Sequence, residues 1–176
     1  MRLLRTAPFV LLFLSGAANS QSHCGVGETD YFSCETSTKR KVASICGNIR
    51  EEENTATSWL QYRFGRLEKI ELIYPNNKSG SLKKFEANNF IKYGTVSIRF
   101  INGDALFDLT VSTDHEVDGE KIAGSSGITV TLNKDRYFNI PCKKVTADRL
   151  TSLAMELERR NGQTDFLYQF LNRPPK

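Results

Sequence analysis

The chain has 176 residues, of which 39% are hydrophobic and 25% charged, and its formal net charge is +4. Arg2 and Arg5 lie within the first twenty residues, and without those residues the net charge is close to zero. A chain so nearly balanced in charge is not expected to bind nucleic acid. A chain of this length suits one domain.

The first twenty residues predict a cleavable secretion signal. Two arginines precede an apolar run at 9–14, and a small-x-small cleavage site follows at 18–20. The apolar run is too short to span a bilayer, and no lipobox precedes Cys24, so neither a membrane anchor nor a lipid anchor is predicted. We therefore expect an exported protein, periplasmic or secreted, whose mature chain begins at Gln21.

Alternation of apolar and polar residues dominates the chain from 29 to 142 and predicts half-buried strands. Turn signals separate them; Asn102-Gly103 favours a type I′ hairpin turn, and Asp118-Gly119 marks another. The predicted strands lie at 29–36, 41–46, 58–64, 68–74, 90–101, 104–113, 119–131 with a break at 124–127, and 136–142. Because nearly all connections are short, we predict a mainly β fold of about eight antiparallel strands in a meander, forming a small barrel or a sandwich.

The pattern changes after residue 145 and predicts a C-terminal α-helical extension at 146–176. A helix is expected at 146–160, with Thr146 as its N-cap and Gly162 at its end, and a second helix at 165–172. Four apolar residues carry the first helical stripe: Leu150, Leu153, Ala154 and Leu157. The predicted organisation is thus a signal at 1–20, a β-domain at 21–145 and helices packed on it, with a partner-binding role for the helices as the alternative.

Four cysteines in an exported chain predict two disulfides and argue against thiol chemistry. Sequence alone allows three pairings. If the last strand lies beside the first, Cys142 comes close to Cys24, and a hairpin centred near Arg40 places Cys34 opposite Cys46. We therefore expect the pairs Cys24–Cys142 and Cys34–Cys46.

Several segments resemble those of an uncharacterised family of small exported β-proteins from Gram-negative bacteria. They are Phe32-Ser33-Cys34, Lys41 to Cys46, Tyr62 to Gly65, Glu71 to Pro75, and Gly127 to Val130 with the terminal Cys142. This resemblance implies a periplasmic β-domain and no catalytic residues. The chain also looks like the periplasmic lysozyme inhibitors, which insert a Ser-Gly loop into the enzyme's cleft; the local counterpart is Gly124-Ser125-Ser126-Gly127, with Ile128 where a tyrosine follows such loops.

The acidic segment 114–120 is the best candidate for metal chemistry. Its Asp-x-Glu-x-Asp-Gly beginning imitates the first half of a calcium loop, but Ser125 stands where a closing glutamate is needed. We therefore interpret it as an exposed hairpin tip and predict no metal and no cofactor. The chain also lacks a Gly-x-Ser-x-Gly elbow and a phosphate-binding glycine loop, so we do not expect an enzyme.

The sequence favours a non-enzymatic protein-binding or inhibitor module acting on an envelope or host protein. Candidate partner-binding residues are Trp59, on the outward phase of its strand, and Ser125, Ser126 and Gly127. Trp59 is alternatively expected to pack under the 47–57 loop or the C-terminal helices. Two other functions stay open: a barrel that binds a small apolar ligand, and an envelope hydrolase with paired carboxylates. The sequence leaves the oligomeric state open.

Overall fold

The computed structural model describes residues 21–38, 40–49, 57–90, 94–162 and 165–172. The predicted signal at 1–20 lies outside the described residues. The elements are β1 (Thr29–Thr36), β2 (Val42–Asn48), β3 (Trp59–Arg66), β4 (Lys69–Tyr74), a 3₁₀ helix (Ser81–Lys84), β5 (Glu86–Phe90), β6 (Thr95–Asn102), β7 (Ala105–Ser112), β8 (His115–Val117), β9 (Glu120–Ile122), β10 (Ser125–Leu132), β11 (Arg136–Asp148), α1 (Leu150–Asn161) and α2 (Phe166–Leu171).

Nine of these strands form one antiparallel sheet in the order β4-β3-β2-β1-β11-β10-β7-β6-β5, while β8 and β9 form a separate hairpin. The sheet curls into a half-barrel, which confirms the mainly β, antiparallel prediction. The first strand pairs with the last at the middle of the sheet, from Phe32 opposite Asp148 to Thr36 opposite Cys142. We call β1–β4 the first limb and β11, β10, β7, β6 and β5 the second limb.

The structure changes several predicted boundaries, and β8 lies where no strand was expected. The region predicted as one strand at 90–101 contains the end of β5 and all of β6 except its last residue, Asn102. β11 continues to Asp148, past the expected boundary at 145, so Thr146 lies in a strand and does not cap α1. Its hydroxyl donates to the carbonyl of Ser33 at 3.3 Å. The helix ends at Gly162 as predicted, with a positive φ of 67°.

Two turns test the hairpin predictions. At Asp118 and Gly119 both φ values are positive, 52° and 84°, as a type I′ turn requires. The other turn is shifted by one residue, because Asn102 pairs with Ala105 and the two turn residues are Gly103 and Asp104. Gly103 has a φ of 60°, and glycine at the first of two turn positions is typical of type II′.

The core fills the concave face of the half-barrel and joins the two limbs. Its aromatic cluster has neighbouring ring centroids 4.7 to 6.0 Å apart and consists of Tyr62, Tyr74, Phe85, Phe100 and Phe107. Such separations are typical of favourable aromatic pairs. These side chains occupy the space between the limbs.

The two helices pack on the edge strand β5 and its neighbour β6. The apolar stripe of α1 is buried in the core. Phe170 is the buried residue of α2, and the amide of Phe166 donates to Glu86 at 3.0 Å. Neither α1 nor α2, the α-helices among the described residues, has the length and hydrophobicity of a membrane-spanning segment.

All four cysteines are in disulfides, but the expected pairing was wrong. The bonds are Cys24–Cys46 and Cys34–Cys142. The β1–β2 register places Cys34 opposite Ala43, so the hairpin centre lies before Arg40. Cys34 belongs to the core on the concave face, whereas Cys46 follows the core residue Ile45 and therefore points to the convex face. Two cysteines on opposite faces cannot form a disulfide.

Candidate functional site

Segment 21–28 covers the convex face of the first limb, and sequence alternation did not reveal this. The backbone amide of His23 donates to Ser44 at 3.0 Å, and the Cys24–Cys46 bond holds the next residue. Gln61 and Arg63 occupy outward positions of β3, yet both are buried. The segment contacts Arg63 through the His23 carbonyl, whereas the side-chain amide of Gln61 donates to the carbonyls of Pro75 and Asn76 at 2.9 and 3.3 Å.

Arg63 is the centre of a polar cluster beneath this segment. Its guanidinium binds both carboxylate oxygens of Glu28, at 2.5 and 2.9 Å, and also donates to the carbonyl of His23 at 2.8 Å and to Gln61 at 2.9 Å. Lys78 adds a contact to Glu28 at 3.2 Å. We call Glu28, Gln61, Arg63 and Lys78 the Arg63 cluster; its hydrogen bonds tie the segment to the sheet.

The pKa of Glu28 identifies the role of this carboxylate. Burial alone raises its pKa, but hydrogen bonds from Arg63, the Gly25 amide and Lys78 outweigh burial and lower it from 4.5 to about 2. A general acid at neutral pH needs the opposite shift. Glu28 is therefore a structural anion and does not supply the proton donor that the hydrolase alternative requires.

Trp59 lies beside the Arg63 cluster and is half-buried. The ammonium of Lys78 sits 3.7 Å from its ring centroid, and the guanidinium of Arg63 is 6.0 Å away. A cation at this distance from an indole face is an attractive contact that covers part of the ring. Trp59 thus packs against cations of its own chain, and its partner-binding role stays a prediction.

A polar cleft of about 480 Å³ lies where segment 21–28 meets the end of β11, and its lining includes Glu28, Asp30, Asp148 and Arg149. All three carboxylates have partners in the fold. Asp30 accepts from Ser33 at 2.8 and 2.9 Å, and Asp148 accepts from the Leu150 amide at 3.2 Å at the start of α1. The acids converge here, but each holds part of the fold together.

Ser125, Ser126 and Gly127 form the first part of β10. The break predicted at 124–127 falls just before the strand, where the Gly124 amide donates to Asp114 at 2.7 Å. All three residues pair with β7, and Gly127 also pairs with Pro141 of β11. They are therefore part of the sheet, and their expected partner-binding role stays a prediction.

These residues line a groove of about 340 Å³ on the second limb, which we call the β10 groove. Its lining consists of Thr110, Ser125, Ser126, Gly127, Ile128, Thr129, Asn139, Ile140 and Pro141. Four strand steps separate β10 from β3, or roughly 19 Å along the sheet. The structure therefore does not bring Trp59 together with the other three candidates.

The acidic segment forms the β8–β9 hairpin, whose tip is the Asp118–Gly119 turn described above. The ring of His115 lies 2.9 Å from the Thr113 carbonyl. In the described part of the chain, no group of three or more His, Cys, Asp or Glu side chains is arranged to hold a metal ion.

One end of the half-barrel exposes apolar surface. We call it the open end; it holds the β1–β2, β3–β4, β6–β7 and β10–β11 turns. Three large apolar residues there are 39 to 52% exposed: Leu67, Ile70 and Phe138. Phe138 shares the concave face with its partner Val130, but it lies at the rim.

The core continues into this exposed surface. Phe64, Leu72 and Phe107 pack against the core and are only partly buried. The ammonium of Lys41 lies 5.3 Å from the Phe64 ring centroid at the rim. We call Leu67, Ile70 and Phe138, together with the partly buried side chains beneath them, the open-end patch.

Comparisons with family models, with curated proteins and with solved structures gave no match.

Proposed function

We propose that the protein is an exported, non-enzymatic binding or inhibitor module that attaches to a protein of the cell envelope or of a host. The proposal depends on the open-end patch, where side chains that pack against the core reach the surface and no described element covers them. Several large apolar side chains exposed at one end of a fold are typical of interaction sites.

Two further observations support this proposal. The two disulfides suggest a non-cytoplasmic compartment, in agreement with the secretion signal expected at 1–20. The resemblance to small exported Gram-negative β-proteins has the same implication. Trp59 and the Ser125–Gly127 segment lie away from the open end, so we assign the protein contact to the patch.

The apolar-ligand alternative has one observation in its favour, the apolar lining of the open end. A small molecule would have to enter between Phe64 and Phe107, where Tyr62 already contacts the Phe107 ring at 5.9 Å between centroids. The filled concave face therefore favours a partner that covers the patch from outside.

The test uses the mature chain from Gln21, immobilised and exposed to periplasmic and host extracts and to purified lysozymes of the different types. We expect a stoichiometric partner, and at least a tenfold weaker affinity for the double variant Leu67→Ser, Phe138→Ser. The matched control is Ile122→Ser, because Ile122 is 43% exposed on β9 at the opposite end.

Absence of any stoichiometric partner at micromolar protein would overturn the proposal. Equal binding by the double variant and the wild type would overturn the assignment to the open-end patch. A fatty-acid probe that competes with the partner would favour the ligand alternative.

A further inference from the structure

We propose that the β10 groove binds a neutral oligosaccharide. This inference goes beyond the proposed function, since the groove and the open-end patch lie on different surfaces. Gly127, Thr129, Asn139 and Pro141 project from the convex face, the opposite face from that of Phe138.

The floor of the groove is Gly127, which lacks a side chain between Thr110 on β7 and Pro141 on β11. A Cβ atom at Gly127 would lie 3.0 Å from the Ile140 carbonyl oxygen, so close packing of β10 on β11 favours glycine here. The same glycine leaves a depression in an otherwise continuous sheet face. Its volume lies at the lower end of the range for small-ligand sites.

The walls offer hydrogen-bonding groups on a rigid support. The hydroxyl of Thr129 donates to the side-chain oxygen of Asn139 at 2.9 Å, which orients the amide so that its nitrogen can donate to a ligand. Ser125 on β10 and Thr110 on β7 add hydroxyl groups; that of Thr110 already donates to Asp108, so its oxygen is left as an acceptor. Sugar hydroxyls that leave water need such donors and acceptors.

The charge of the groove selects the class of ligand. Every described residue of its lining is uncharged. The charged pair on the adjoining strands, Arg99 and Asp108, is joined at 2.7 Å, and the second carboxylate oxygen of Asp108 accepts from Thr110 at 3.2 Å. This pairing compensates both charges, so the groove complements a neutral ligand better than a phosphate or an acidic sugar.

Tyr137 supplies an aromatic surface beside the groove. It is 71% exposed and lies on β11 two positions before Asn139, on the same face and roughly 7 Å away. A tyrosine ring can pack against the apolar face of a sugar while its hydroxyl remains in water. An exposed aromatic ring next to uncharged hydroxyl and amide groups is the combination that a saccharide requires.

The experiment is a titration of the ¹⁵N-labelled mature protein with chitotetraose and with maltotetraose at about 1–10 mM, where a shallow groove with few contacts is expected to bind. Amide shifts should be confined to β7, β10 and β11. Tyr137→Ala and Thr129→Arg should each weaken binding at least fivefold. The control Tyr168→Ala, at a 64% exposed tyrosine on α2, should bind as the wild type does.

Two further arms identify the source of the sugar. Binding to a purified envelope polysaccharide indicates a free glycan, and binding to a glycoprotein that is lost after enzymatic deglycosylation indicates a protein-borne one. The open-end variant Leu67→Ser, Phe138→Ser should keep its saccharide shifts, so failure of one proposal is distinguishable from failure of the other. Absence of shifts with both tetrasaccharides, or equal weakening by Tyr168→Ala and Tyr137→Ala, would overturn the proposal.

Discussion

Replacing Glu28 by glutamine tests whether segment 21–28 is held by charge. Glutamine keeps the size and the hydrogen-bonding oxygen of the side chain but removes the anion that faces Arg63 and Lys78. We expect the variant to fold, since the Cys24–Cys46 bond still anchors the segment, and to be less stable than the wild type at neutral pH.

The magnitude follows from the pKa of Glu28, which lies at about 2 instead of 4.5. A difference of this size corresponds to about 3 kcal/mol of preferential stabilisation of the folded state. The site is partly solvated, because the Lys78 side chain is 48% exposed, so screening lowers the expected loss to about 2 kcal/mol.

The sign of the pH dependence is determined by the lowered pKa. The carboxylate contributes its full stabilisation above the pKa of the unfolded chain, near 4.5, and this contribution disappears as the pH falls through the folded pKa of about 2. The free energy of unfolding of wild type minus variant should therefore be constant from pH 7 to pH 5 and decline toward zero near pH 2.

Urea unfolding followed by circular dichroism, without reductant, measures this difference at pH 7, 5, 3 and 2. Glu120→Gln is the matched control, because Glu120 is exposed on β9 and its replacement should change stability by less than about 0.5 kcal/mol. A loss for Glu28→Gln that is the same at pH 2 and pH 7 would refute the charge argument, and so would a loss no larger than that of the control.

Two stability measurements test the packing of the helix and of the sheet. Leu153→Ala should destabilise the protein by about 2–5 kcal/mol, because Leu153 is buried in the core. Met155→Ala, on the exposed side of α1, is the control and should cost less than about 0.5 kcal/mol. Equal effects of the two substitutions would contradict the observed helix orientation. Gly47→Ala should cost about 1–3 kcal/mol, since the new Cβ would lie 2.6 Å from the Trp59 carbonyl oxygen, while Gly25→Ala meets its nearest atom at 3.6 Å and should be nearly neutral. Urea unfolding followed by the fluorescence of the single tryptophan measures both pairs, and a neutral Gly47→Ala would show that β2 and β3 are less closely packed there.

The strands were predictable because alternation is a local property. β1, β3 and β7 lie within one or two residues of their predicted positions, and the stripe of α1 is buried as its spacing indicated. Disulfide pairing depends on the register of the paired strands and on the face of the sheet to which each cysteine points. A shift of the hairpin centre changes which residues lie opposite each other. The error at Cys34 and Cys46 therefore arose from the position of one turn.

The site residues were less predictable because they depend on what covers each face. Gln61 and Arg63 alternate as a solvent-facing pair, but both are buried: segment 21–28 contacts Arg63, and the loop at 75–76 contacts Gln61. No local pattern in β3 could predict either contact. Phe138 shows the reverse case, an apolar residue on the core face that remains exposed because the sheet does not close around it. Closure and coverage are properties of the whole fold.

The pairing of β1 with β11 determines the order in which the sheet can be completed. Most neighbouring strands in the sheet follow each other along the chain, so their hairpins form from local contacts. The central pair is different, since Cys34 and Cys142, which join it, are 108 residues apart. Non-local pairings form slowly. We therefore expect each limb to assemble first, and β11 of the second limb to pair with β1 of the first limb in a later step.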